Sequence, residues 1–113
     1  AYLRDEAARD LTAASRRHAE ALGVRFAKVT IKDTKSRWGS CTVAGELAYS
    51  WRIILAPLPV IDYLAAHEVA HLREMNHSAR FWRLVGQLCP NWRRERDWLR
   101  RNGNRLHGYG APA

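Results

Sequence analysis

The sequence predicts an α+β domain: an N-terminal helix, a small antiparallel sheet of about three strands, a helix carrying His67-Glu68-Val69-Ala70-His71, and then C-terminal helices. Three observations carry that expectation. Apolar residues recur at three- and four-residue steps near the N-terminus, alternate with polar ones from Lys28 onward, and return to helical spacing after Pro57 and Pro59.

Each element follows from local pattern. Leu3, Ala7, Leu11, Ala14, His18 and Ala21 mark one face of a helix over residues 2–22, with Gly23 as its stop. Residues 24–33 read as a half-buried strand. The polar run 33–37 reads as a loop, and a second extended stretch begins at Trp38. Ala44-Gly45-Glu46 is a hairpin turn, with the returning strand over 47–55. Pro59 suits the first turn of a helix that runs to about Met75. Further helices are expected over residues 79–88, before Pro90, and from Asn91 to about Arg101, before Gly103. Residues 104–113 are expected to form a flexible tail.

The 113 residues fit one domain, expected to be a single catalytic unit over 1–113. No apolar run approaches the roughly 18 residues needed to span a bilayer, and the charged N-terminus does not read as a signal peptide. No membrane partner is expected. Two cysteines, Cys41 and Cys89, are too few for an extracellular disulfide scaffold of this size, so a cytoplasmic protein with free thiols is expected. The formal charge of +8 suits an acidic partner such as nucleic acid, a nucleotide or an acidic peptide, or simply an arginine-rich soluble surface.

The chemistry lies in the H-E-x-x-H motif. At about 100° per residue, His67 and His71 stand only about 40° apart around a helix axis. Their imidazoles can therefore reach one metal ion. Glu68 lies on the flank of that face, where its carboxylate reaches water beside the metal without being a ligand. Ile61, Ala65, Val69 and Leu72 form a separate apolar stripe that anchors the helix. Catalytic zinc needs a third protein ligand and an open position for water. His77 is the leading candidate, provided the chain turns near 74–76, where Asn76 tolerates a left-handed backbone. His107 and Glu74 are the runners-up, and His18 reads as a helix-face residue.

These segments carry a family resemblance. Lys35-Ser36-Arg37-Trp38-Gly39-Ser40-Cys41, Tyr63 to Leu72, and Asn76-His77-Ser78-Ala79-Arg80-Phe81-Trp82 look like the YgjP-like metallopeptidase family, related to the SprT-like and minigluzincin zinc peptidases. The resemblance implies a metal site of His67, His71 and His77 with Glu68 beside it. It also implies that the Arg37–Cys41 strand borders the active-site cleft, a place where an extended peptide can pair with an edge strand. From the residues alone, that segment reads first as a structural turn, with Gly39 for the bend and Trp38 and Cys41 in the core, and cleft-lining as a by-product. Relatives often carry a further N-terminal region, which would lie upstream of Ala1. Position 74 is Glu where metzincins have Gly, and Met75 is the only Met, so the likeness to metzincins stops at ligand spacing.

The expected function is a zinc-dependent hydrolase, above all a metallopeptidase, with one Zn²⁺ and Glu68 as general base toward zinc-bound water. Arg37, Trp38 and Asn76 are candidate substrate-binding residues. Arg37, Asn76 and Tyr63 are candidate oxyanion stabilisers, with Tyr63 projecting away from the core stripe. The substrate is expected to be a peptide or protein. Two alternatives remain open: a hydrolase of phosphoanhydrides or nucleotides, and a basic nucleic-acid-associated module with structural zinc. Trp82, Trp92 and Trp98 read as core residues, or as a stacking platform interleaved with arginines.

Overall fold

A computed structural model describes residues 2–34 and 36–108. Helix α1 spans Tyr2–Leu22 and buries Ala7, Leu11, Ala14, Ser15, His18 and Ala19, the face that the spacing marks. Gly23 ends it at φ +68°, a left-handed conformation that glycine adopts without a Cβ penalty. The Gly23 N–H donates to Glu20 O and the Val24 N–H to Ala19 O, so the last carbonyls of α1 are satisfied.

Three strands follow: β1 (Lys28–Lys32), β2 (Gly39–Cys41) and β3 (Glu46–Ser50). The expected hairpin joins β2 to β3, with Gly45 in its turn at φ +86°. The sheet as a whole is mixed rather than antiparallel. Its order is β1-β3-β2, and β1 runs parallel to β3, with Ile31 opposite Tyr49. Alternation of apolar residues reports which face is buried, not the direction of the neighbouring strand. β3 thus inserts between its two predecessors.

The strands are also shorter than expected. Residues 24–27 lie outside β1. Trp51–Leu55 forms a 3₁₀ turn instead of extending β3. Ser50 starts that turn by accepting from the Arg52 N–H at 3.4 Å. The buried Arg52 guanidinium pairs with Asp33, just past the end of β1, and the Trp51 indole N–H donates to the same carboxylate.

Helix α2 spans Leu58–Ala70, with a proline in its first turn. It lies between two apolar clusters. Val60, Ile61, Leu64 and Val69 pack with Ala7 and Leu11 of α1 and with Leu47 and Tyr49 of β3. Tyr63, Ala66 and Ala70 pack on the other side with Phe81, Val85, Cys89 and Trp92. Tyr63 thus does point away from the first core, as its wheel position requires, but into a second one. His18 is buried in α1, and its Nε2 lies 3.0 Å from Asp62 Oδ1, tying α1 to α2 as a structural residue.

α2 ends at Ala70, a turn earlier than Met75. Its final hydrogen bonds tighten to i→i−3 spacing: His71 N–H to Glu68 O, Leu72 N–H to Val69 O and Arg73 N–H to Ala70 O. No non-glycine residue has positive φ among the described residues, so the turn toward His77 comes from this tightening and not from a left-handed Asn76. Helix α3 spans Ala79–Leu88, as expected, with Ser78 Oγ accepting from the Phe81 N–H at its start.

Helix α4 spans Trp92–His107 and runs through Gly103, where the sequence suggested a stop. Gly103 is buried against Trp38: an added Cβ would stand 3.1 Å from the indole Nε1. A glycine inside a helix costs about 1 kcal/mol relative to alanine, and here it admits an aromatic ring. Residues 104–107, expected as tail, therefore belong to α4, while residues 109–113 lie outside the described residues. Cys41 and Cys89 are free thiols. No helix is long and apolar enough to cross a membrane among the described residues.

Candidate metal centre

Three histidines converge. His67 stands near the end of α2, His71 directly caps it, and His77 precedes the Ser78 cap of α3. One ring nitrogen from each lies within 4.8 Å of the other two. The ring centroids are 5.0 Å apart for His67 and His71, 5.2 Å for His67 and His77, and 4.8 Å for His71 and His77. The six-residue step from 71 to 77 would point away on a continuous helix. The early end of α2 brings it back.

The donor chemistry fits a divalent cation. His71 Nδ1 lies 3.1 Å from the Glu74 carbonyl oxygen. A carbonyl only accepts, so Nδ1 carries the proton and Nε2 keeps a free lone pair. His67 Nδ1 lies 3.2 Å from Glu68 Oε2, which holds that ring in the same way. Burial pushes the His71 pKa below its ordinary value, despite the Glu74 carbonyl and the Glu68 carboxylate, and so favours the neutral imidazole that a metal requires.

The rings are held by aromatic packing that the sequence did not reveal. Phe81 lies 5.0 Å from the His67 centroid, 4.4 Å from that of His71 and 4.9 Å from that of His77. Trp82 stacks on His77 at 5.8 Å and on Trp92 at 4.4 Å. The core reading of these tryptophans holds for Trp92, which is buried in the second cluster; Trp82 packs half-buried against that cluster beside the histidines, and Trp98 packs half-buried against the first.

Glu68 is 3% exposed. An added Cβ at Gly39 would stand 2.9 Å from its Oε2 and 3.0 Å from its Cγ. The glycine of the Arg-Trp-Gly-Ser-Cys segment thus makes room for the carboxylate. Its neighbour Trp38 stacks on His107 with centroids 3.7 Å apart, and the Trp38 carbonyl accepts from the Ser50 N–H at 2.8 Å. The segment is both structural and next to the histidines, so the two readings of it do not compete.

The remaining candidates fall in distinct places. Arg37 is exposed and, with Trp38, Gly39 and Ser40, lines a cleft of about 340 Å³. Asn76 is exposed immediately before His77. Glu74 pairs with Arg80 at 3.8 Å, and among the described residues the histidine group includes neither Glu74 nor His107. Burial pushes the Tyr63 hydroxyl up to about 12, so it stays protonated as a donor, and its ring lies 5.9 Å from that of His67.

A trio of imidazoles beside a carboxylate shielded from water is how many hydrolases employ a metal ion. Mounted on this helix-and-sheet frame, it defines the class as a metal-dependent, peptidase-type hydrolase. The chain belongs to the YgjP-like metallopeptidase domain family, whose model matches residues 1–102. Its fold is similar to that of the metallopeptidase zymogen of Pyrococcus abyssi abylysin, with a TM-score of 0.71 and 22% identity over 85% of this chain and 94% of that one. No curated protein sequence matches the chain.

Proposed function

We propose that the protein is a zinc peptidase in which His67, His71 and His77 hold one Zn²⁺ and Glu68 moves the proton. The single observation that carries this reading is the approach of three ring nitrogens to within 4.8 Å, with the buried Glu68 carboxylate on the same helix. Three neutral imidazoles are a borderline-soft donor set that suits zinc, and three protein ligands leave a position for solvent. Bound zinc supplies Lewis-acid chemistry: it polarises a carbonyl oxygen and lets water attack near neutral pH.

Glu68 takes the proton from the attacking water and returns it to the leaving amine nitrogen. Its seat against Gly39 fixes where that carboxylate stands, which matters because proton transfer demands hydrogen-bond reach. Substrate is a peptide or protein. Arg37 and Trp38 contact it from the β2 side and Asn76 from the His77 side. We take residues 1–113 as one catalytic domain.

The test is Glu68→Gln. The variant should bind zinc with undiminished stoichiometry, measured by atomic absorption, and lose at least about a hundredfold in cleavage of unfolded casein, the size of a general-base contribution. Full activity in the variant removes Glu68 as the base, and one zinc retained after loss of all three histidines removes the metal centre.

A further inference from the structure

A second cleft, of about 390 Å³, opens beside the histidine centre between the Trp38 segment, α2 and α4. Trp38, Tyr63, Arg96, Arg100, Asn104 and His107 line it. It shares residues with the metal-site surroundings. Trp38 immediately precedes Gly39, which touches Glu68, and Tyr63 is one helical turn from His67, with the two rings 5.9 Å apart. A substrate whose scissile bond sits at Glu68 can therefore extend past Trp38 and Tyr63 into this cleft.

The cleft is cationic. No aspartate or glutamate lines it among the described residues. Arg100 has no ion-pair partner among them, and it lines the cleft together with Arg96 and Tyr63. Arg96 is oriented by the aromatic column: its guanidinium lies 5.0 Å from the Trp92 centroid and 5.8 Å from that of Trp82. Among the described residues its one ion-pair partner is Asp97, 3.5 Å away and half exposed, and its Nε is buried with no hydrogen-bond partner. Tyr63 adds a neutral hydroxyl donor and Trp38 an apolar wall.

We propose that this cleft is a substrate subsite for a carboxylate, held by Arg96 and Arg100, so that peptides bearing an acidic group next to the scissile bond are preferred. This rests on the peptidase reading above. Arginine forks match carboxylates in a planar, two-point contact. The carboxylate comes either from an Asp or Glu side chain or from a free peptide C-terminus.

The experiment measures binding to the zinc-loaded full chain carrying Glu68→Gln, by quenching of tryptophan fluorescence, with mass spectrometry to check that peptides stay intact. Two pairs of pentapeptides are compared: end-blocked peptides with a central Glu or Gln, and neutral peptides with a free or amidated C-terminus. The acidic member of at least one pair should bind about tenfold more tightly, the advantage of a charge-assisted contact. Preference in the first pair assigns a side-chain carboxylate, and in the second a terminal one.

Arg100→Glu, at an exposed position, should abolish that preference and favour a central Lys. Arg96→Met should reduce it. Arg25→Glu, exposed and outside the cleft, makes the same change in net charge and should leave the preference in place. Equal binding within both pairs overturns the subsite, as does no detectable binding of any peptide, or loss of preference in Arg25→Glu to the same degree as in Arg100→Glu. The peptidase reading fails on a different result, the absence of any peptide cleavage by the unmodified chain.

Discussion

Gly39 and Glu68 are in direct contact: a methyl group on Gly39 would sit 2.9 Å from the Glu68 carboxylate oxygen and 3.2 Å from the backbone oxygen of Ala48. A strand residue thus sets the position of a helix side chain 29 positions away. Gly39→Ala is expected to displace the carboxylate, because the Ala48 backbone cannot yield. A shift of about 1 Å at a reacting group costs on the order of a hundredfold in rate. The variant should show that loss in kcat, while zinc content by atomic absorption stays at one per chain. An unchanged kcat would mean that the Glu68 position is not fixed by this contact.

His77 is exposed, whereas His71 is buried. Their roles in metal holding and in folding should therefore separate. His77→Ala should leave the unfolding free energy of the metal-free chain unchanged within about 0.5 kcal/mol, as for a surface substitution. It should also erase the rise in melting temperature on adding zinc, which for a site saturated a hundredfold corresponds to about 2.7 kcal/mol. Calorimetry with and without a chelator reads both, and an undiminished zinc effect in His77→Ala counts against the third ligand.

The α1–α2 joint predicts an acid-sensitive stability. The hydrogen bond from His18, with Arg17 nearby, holds the Asp62 carboxyl below its ordinary value of 3.8 against the opposing effect of burial. A carboxyl depressed in the folded state contributes fully above its unfolded pKa and loses that contribution as pH falls through the folded value. Denaturant midpoints measured from pH 6 down to pH 2 should therefore fall, and Asp62→Asn should be less stable at pH 6 and show a shallower acid decline. Parallel curves for the two proteins would contradict the assignment.

Cys41, opposite Leu47 in the hairpin, provides a reporter on the same region. Burial, followed by the charge of Glu68, pushes its thiol up to about 11. The thiolate is the reactive form. Alkylation by iodoacetamide at pH 8 should therefore be slower than for a small free thiol, and the rate should keep rising beyond pH 10. Removing the neighbouring charge with Glu68→Gln should move the rate profile part of the way to lower pH. A profile with an ordinary thiol midpoint would show that Cys41 is not shielded as described.

The helices were legible because each carries its own signals. The period of Leu3 to Ala21, the Pro59 start and the Ser78 cap are local, and α1 and α3 fall where those signals put them. The sheet was less legible. Strand direction depends on which neighbour is recruited, and here β3 inserts between β1 and β2, which the composition of β1 does not encode. Gly103 misled for a related reason: glycine stops helices by default, yet here Trp38, from the segment just before β2, occupies the space that a side chain would fill.

The sequence by itself determined that His67 and His71 share a helix face with Glu68 beside them, since a helix geometry of 3.6 residues per turn leaves no other arrangement. It also marked His77 as the third member of the group. Tertiary structure decided how His77 gets there, through the tightened end of α2, and what surrounds the trio: Phe81 and Trp82 against the rings, Gly39 against the carboxylate, and Arg96 and Arg100 across the adjoining cleft. Spacing along the chain fixes geometry only within one regular element. Contacts between elements arise from packing, where shape and burial choose partners that no local pattern encodes.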